Sequence, residues 1–347
     1  ESRVYAEDPI RNFLPSVGPL NVYREPHKFA TKEGTVRLDT GVYEGGVIST
    51  NYDPMIAKLC SWAPKRDDAI KLMEQALDEY VVRGLVSNIP FLRSVYRNER
   101  FRSGLYSTKF IPQEYPTGFH GVQLTNGETR QMLGVVAAIH SYRALENDPQ
   151  IASEDSEEEG TLKNEFVVVM DDAFDGAAFR VSTKIDNKFS ASIVSLNKAG
   201  EEFAGSITLS DLAWNKEDPL AVANFEDGDF ATVQYMGATD DGFALRFRGA
   251  DHRFALRTLK EHKLFSHMKK PPTVDTSRTL VSPMPGTLIS INVKPGQRVE
   301  EGQTVAVIEA MKMQNSLKSP RSGVVKVVKK QAGAALKVDE LILELEQ

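Results

Sequence analysis

The residues best placed to do chemistry are Glu309-Ala310-Met311-Lys312-Met313, near the end of a 347-residue sequence. A lysine in a turn is ordinarily a solvated surface group, but this one falls at the join of an internal repeat. Ser282-Pro283-Met284-Pro285-Gly286 returns as Ser319-Pro320-Arg321-Ser322-Gly323. The same offset lays Gly296 on Gly333, Val299 on Leu336, and Thr304 to Ile308 on Leu341 to Leu345. Two halves of four short strands, neither able to bury a core alone, predict a flattened barrel with pseudo-two-fold symmetry. The connection between the halves is then a hairpin around Met311-Lys312. Its tip is open to a modifying enzyme and can project a long prosthetic group. Ala310, Met311 and Met313 flank it with small and soft contact surface.

Other reactive side chains read more plainly. Cys60 lies in the apolar run Ile56 to Trp62 and reads as a buried thiol; a single cysteine permits no disulfide framework, which fits a reducing compartment. His140 sits inside an apolar helical pattern and reads as a packed core residue. His262 and His267, five apart, do not have metal-ligand spacing. Net charge is −6 with no basic stripe interleaved with aromatics, which argues against nucleic acid as the partner. No apolar run is long enough to span a bilayer, so no membrane association is expected.

The elements that must position Lys312 fall into regimes, together a multidomain α+β chain. Residues 1–115 mix strands and helices, with one helix over Arg66 to Tyr80 whose Ile70, Met73 and Leu77 share a face, and another opening at Pro90. Residues 116–260 begin with a long helix over Gly127 to Glu146, pass an acidic stretch at Glu154 to Glu159, and continue as short alternating segments separated by Asp-Gly and Gly turns. That spacing predicts an antiparallel barrel or sandwich. Residues 261–279 read as a linker, with Pro271-Pro272 and no sustained periodicity, able to extend on the order of 60 Å. Residues 280–347 are the repeat. Glu1 to Pro9 alternates like a strand from its first residue, so any targeting sequence is expected upstream.

Residues 280–347 resemble the biotinyl carrier domain, whose signature Glu-Ala-Met-Lys-Met stands complete at 309–313. The similar lipoyl domain usually carries Asp-Lys-Ala at its tip, so Met311-Lys312-Met313 separates the two. Residues 1–115 resemble the C-terminal part of an ATP-grasp biotin carboxylase domain through Ser2-Arg3-Val4-Tyr5-Ala6-Glu7-Asp8-Pro9, Phe13-Leu14-Pro15-Ser16-Val17-Gly18 and Tyr52-Asp53-Pro54-Met55-Ile56-Ala57-Lys58-Leu59. The middle region resembles the biotin-carboxyl-transfer mediating (BT) domain. The chain thus resembles the alpha subunits of biotin-dependent acyl-CoA carboxylases. Met311-Lys312-Met313-Gln314-Asn315-Ser316 is similar to the propionyl-CoA branch of that family, and Arg83-Gly84 suits it too.

The resemblance implies biotin on Lys312, attached by biotin protein ligase, and ATP- and bicarbonate-dependent carboxylation. A carboxyltransferase beta subunit then passes the carboxyl group to propionyl-CoA, giving methylmalonyl-CoA. It implies that Arg3 contacts biotin and bicarbonate. A permanent planar cation can donate two hydrogen bonds to a developing oxyanion, where lysine would be a poorer fork. It places Arg37 near a contact between carboxylase domains, and it puts the ATP and Mg2+ residues before Glu1, so this chain alone should not carboxylate biotin and holds no metal. Ser2 stands where a cysteine is common. Biotin on its lysine stem reaches on the order of 15 Å, so sites farther apart require the carrier to swing. Two alternatives stay open: a methylcrotonyl-CoA or other acyl-CoA carboxylase, and a passive carrier and docking module. The compartment would be the mitochondrial matrix in a eukaryote and the cytoplasm otherwise.

Overall fold

The computed structural model describes residues 1–49, 53–147, 162–171, 176–185, 188–196, 204–270, 278–310 and 313–346. Among these, no helix is long and apolar enough to cross a membrane. The first unit is built on an antiparallel sheet ordered Ser2–Tyr5, Met55–Trp62, Thr35–Thr40, Phe29–Ala30. Alternation turns Val4, Val36, Leu38, Ala57 and Leu59 inward. Helix α1 (Arg66–Glu79) covers that face with Ile70, Met73, Ala76 and Leu77, and Asp67 and Asp68 sit favourably in its positive first turn. Helix α2 (Ile89–Arg97) follows with a proline in its first turn. Two short helices, α3 (Glu99–Ser103) and α4 (Phe110–Glu114), were not expected from periodicity, which a five-residue element cannot display. Cys60 corrects the expectation of a buried thiol. Period-two alternation buries Leu59 and turns Cys60 to the opposite face, half-buried, with Sγ 4.0 Å from Nη2 of Arg37 and 3.8 Å from Oε2 of Glu1.

Helix α5 (Asn126–Asn147) is apolar all round: Met132, Leu133, Val135, Val136, Ala137, Ala138 and Ile139 have no exposed surface. Such a helix must be enclosed. It shares one core with Phe166, Val181, Ile193, Leu209, Ala223, Val233, Leu245 and Phe254, which come from the eight strands of a closed antiparallel barrel. Those strands are Leu162–Met170, Ala177–Ile185, Phe189–Ser195, Ala204–Trp214, Leu220–Phe225, Phe230–Thr239, Gly242–Phe247 and Ala250–Arg257. Closure between the first and last leaves no free edge. His140, partly buried, packs against Phe166 with ring centroids 4.5 Å apart, and desolvation holds its pKa below the ordinary histidine value. The acidic stretch Glu154 to Glu159 lies outside the described residues.

The linker reading of 261–279 is corrected at its start. Helix α6 (Leu259–Phe265) occupies those residues, closed by a capping box in which Thr258 and Glu261 exchange hydrogen bonds. It is there because the first barrel strand is apolar on both faces: Phe166 and Val168 point inward, while Val167 and Val169 point outward and need cover, which Leu259 helps to supply. The Arg257 guanidinium lies 3.4 Å from the Phe265 ring centroid and fastens the other end. Residues 271–277 lie outside the described residues.

The barrel and the first unit meet through buried polar groups. Gln234, 1% exposed, donates from Nε2 to the carbonyls of Asp78 (3.0 Å) and Tyr80 (3.1 Å) at the end of α1. The turn Arg248-Gly249 has positive φ at both residues, and a Cβ on Gly249 would lie 3.1 Å from Cβ and Cγ of Arg93, so the turn fits against α2 only with glycine there. Arg248 reaches Glu128 (3.2 Å) and Asp229 (2.7 Å), while Arg93 reaches Glu74 (2.6 Å) and Asp78 (3.0 Å). Glu74 also accepts from Arg102 at 2.6 Å. Burial outweighs the neighbouring guanidinium at Asp78 and pushes its pKa from 3.8 up to about 6; Arg93, facing two carboxylates, is held in its charged form.

A carboxyl that keeps its proton to higher pH in the folded chain than in the unfolded one stabilises the fold fully below the unfolded value of 3.8, and that contribution is lost as pH rises through about 6. Urea unfolding at a series of pH values should therefore show the wild type losing stability relative to Asp78→Asn between pH ~4 and ~6, by up to about 1.4 kcal/mol per pH unit. Parallel profiles would show Asp78 ionised throughout.

Candidate functional site

The repeat folds as two four-stranded sheets, and each draws strands from both halves. One is ordered Thr279–Val281, Leu341–Leu345, Gly323–Val328, Arg298–Val299; the other Met313–Lys318, Thr304–Ala310, Gly286–Ile291, Ala335–Leu336. The pseudo-symmetry extends to single hydrogen bonds. Ser282 Oγ donates to the Met284 carbonyl at 2.6 Å, and Ser319 Oγ to that of Arg321 at 2.7 Å. Gly296 N–H donates to Val325 O and Gly333 N–H to Leu288 O, both at 2.7 Å. Between the sheets lies one core that includes Leu288, Val299, Ile308, Val325, Leu336 and Ile342, against which Leu14 of the first unit also packs.

Thr304–Ala310 and Met313–Lys318 pair antiparallel, with Ala310 opposite Met313 and Glu309 opposite Gln314. Met311 and Lys312 lie outside the described residues; the two strands that flank them are in register up to the last pair. Ala310 is buried at 3% and ties that end of the hairpin to the core, while the Gln314 amide reaches the Glu309 carboxylate at 3.3 Å on the surface. Beneath them runs Gly286. A Cβ there would stand 2.5 Å from the Glu309 carbonyl oxygen and 2.9 Å from Cγ2 of Ile308. The first glycine of the repeat is thus required by a close backbone approach under the hairpin.

Arg3 and Arg37 both lie open on the outer face of the first sheet. Arg3 is exposed, with 59% of its side chain open, and its Nε lies 3.4 Å from Oε1 of Glu1. Tyr5 and Glu1 hold the guanidinium firmly in its charged form. On the same sheet Arg37, 66% open, pairs with Asp39 at 3.2 Å. Arg3 stands opposite Lys58, which Asp39 faces from the other side, and Arg37 stands opposite Cys60 in the ladder, so the outer face of the sheet is accessible and carries charges of both signs. Among the described residues no group of three histidine, cysteine or carboxylate side chains is arranged to hold a metal.

Three family models match in succession: the biotin carboxylase C-terminal domain over residues 1–113, the propionyl-coenzyme A carboxylase BT domain over 132–270, and a biotin-requiring enzyme model over 278–345. The propionyl-CoA carboxylase alpha chain of Ruegeria pomeroyi is 39% identical over 361 residues, covering 100% of this chain and 51% of its own length. The chain belongs to the biotin-dependent carboxylase family. The mitochondrial propionyl-CoA carboxylase alpha chain of Mus musculus is 38% identical over 352 residues, covering 100% of this chain and 46% of its own. A mitochondrial methylcrotonoyl-CoA carboxylase alpha subunit of Oryza sativa subsp. japonica is 28% identical, covering 96% of this chain and 47% of its own. The chain spans about half the length of the relatives it matches.

Substituting Gly286→Ala places a methyl group against the Glu309 carbonyl and should destabilise the repeat unit by about 1–3 kcal/mol through overpacking. Thermal unfolding followed on the 280–347 unit within the chain should show a lowered midpoint, and an unchanged midpoint would mean that the strand beneath the hairpin can shift freely.

Proposed function

We propose that this chain is the carrier-bearing part of the alpha subunit of a propionyl-CoA carboxylase, with biotin joined to Lys312. The observation that carries the reading is the hairpin Thr304–Lys318, which links the two pseudo-symmetric halves and is paired up to the residues on either side of Met311-Lys312. A buried Ala310 on one side and a glycine packed beneath form a stiff base for a long projecting group. When bound, biotin supplies a ureido nitrogen able to take up and release a carboxyl group. Arg3 would then serve by donating hydrogen bonds to bicarbonate and to the oxyanion that develops as that nitrogen loses its proton. ATP and Mg2+ belong, in this reading, to the part of the relatives' length that this chain does not span. A carboxyltransferase beta subunit supplies the second site and the acyl-CoA, and biotin protein ligase is the modifying partner.

The higher identity to the propionyl-CoA alpha chains than to the methylcrotonoyl subunit favours propionyl-CoA. Co-expression with biotin protein ligase should add the mass of one biotin per chain, mapped to Lys312 and lost in Lys312→Arg. An unmodified lysine, or a lipoyl mass in its place, would overturn the carrier assignment. In the holoenzyme, propionyl-CoA should be turned over in preference to methylcrotonyl-CoA, and the reverse preference would reassign the substrate. Shortening the segment between Phe265 and Thr279 should lower coupled turnover while carboxylation of free biotin by the full-length subunit continues; undiminished coupled turnover would show that the carrier does not travel.

A further inference from the structure

Asn88 stands at the N-cap of α2, where an asparagine side chain normally accepts a hydrogen bond from the first turn of its helix. Here it makes no such bond. Its Oδ1 instead accepts from the Tyr5 N–H at 2.9 Å, and its Nδ2 donates to the Arg3 carbonyl at 3.1 Å. Its own N–H donates to the Tyr5 carbonyl at 3.1 Å. The side chain has been turned from the helix to the strand that carries Arg3, and with 5% of its surface exposed it is well enclosed there.

That strand needs the help. Ser2–Tyr5 is at the edge of its sheet, with a ladder on one side only, and its register with Met55–Trp62 shifts between Val4 and Tyr5, one residue beyond Arg3. At such an irregularity the sheet no longer fixes where the backbone lies. The Arg3 side chain is mostly open to solvent, so packing does not place it either. A primary amide, with donor and acceptor on one rigid plane, spans the irregularity from Arg3 O to Tyr5 N–H. A second contact from α2 supports the first: the Tyr96 hydroxyl lies 2.8 Å from that of Ser2, itself 3% exposed. Helix α2 therefore grips the strand on both sides of Arg3.

We infer that Asn88, assisted by Tyr96, is a positioning residue that aims Arg3 at the carboxylation site. The inference rests on the role proposed above for Arg3. It is tested in the full-length alpha subunit, which carries the ATP-dependent half, with free biotin as substrate. Asn88→Ala should lower kcat/KM for biotin by about tenfold to a hundredfold, the range expected when a catalytic group is misplaced by an ångström or less, with KM for ATP unchanged. In an Arg3→Ala background the same substitution should add almost nothing, because two residues acting as one unit are not additive. Tyr96→Phe, which keeps the ring packed on Phe101 and removes only the hydroxyl, should show a smaller loss with the same dependence on Arg3 and keeps the test open if Asn88→Ala does not fold. Equal losses with and without Arg3, or a KM for ATP that rises in step, would overturn the positioning role and leave Arg3 untouched. An Arg3→Ala subunit with full activity on biotin would overturn both.

Discussion

The exchange of strands between the two halves of the repeat is the constraint on which the rest of the carrier depends. Neither half has enough apolar surface to fold alone, so each sheet borrows its outer strands from the other half, and Leu288 and Val325, equivalent in the repeat, share one core. Because the halves are interleaved, the chain must cross between them once. That crossing is the hairpin at Met311-Lys312. The strands on either side of it are rooted in that core through Ala310 and Leu317. The Gly286 backbone under Glu309 and Ile308 extends the same logic to a single atom, since a side chain at that point would lift the hairpin from its base.

A second constraint acts where the first unit meets the barrel. A barrel without free edges cannot associate by strand addition, so its attachment relies on side chains. Gln234 fills the hydrogen-bonding capacity left at the end of α1, where the last carbonyls of a helix lack partners, and the left-handed turn at Arg248-Gly249 presents a guanidinium to Glu128 and Asp229. Beside them Arg93 pairs with Glu74 and Asp78, all three largely covered, where an unpaired charge would be costly. The two units are thereby joined through hydrogen bonds and ion pairs between side chains.

Much of this organisation is legible in the sequence, and the misses have physical causes. The repeat was readable because its turn residues recur at one offset, and Lys312 because it falls at the seam. The long helix was readable from its apolar content, although its all-round burial hid the amphipathic signal that usually marks a helix face. In the strand Ala204–Trp214 the alternation of Ser206 and Thr208 with Ile207 and Leu209 is interrupted by a bulge between Leu209 and Asp211, which weakens its signal. Helix α6 carried a readable Thr258 to Glu261 capping box, but it is too short for periodicity and lies next to Pro271-Pro272, which drew the whole stretch into a linker. Cys60 departs from the expectation of burial because its apolar run alternates in a strand, and the helix-covered face takes Leu59 and leaves Cys60 on the other.

Asn88 marks the limit of such reading. Nothing in Val86-Ser87-Asn88-Ile89-Pro90 separates an asparagine that caps a helix from one that holds a strand, since both occupy the same position before the same proline. The difference arises only when Ser2–Tyr5, more than eighty residues away in the chain, comes to lie beside it with an edge unpaired and a register shift between Val4 and Tyr5. Local sequence then specifies the helix start, and the fold decides how the amide is used. Where a reactive side chain is open to solvent, its aim is set by whatever holds its backbone, and that holder is found among residues whose own sequence motif points elsewhere.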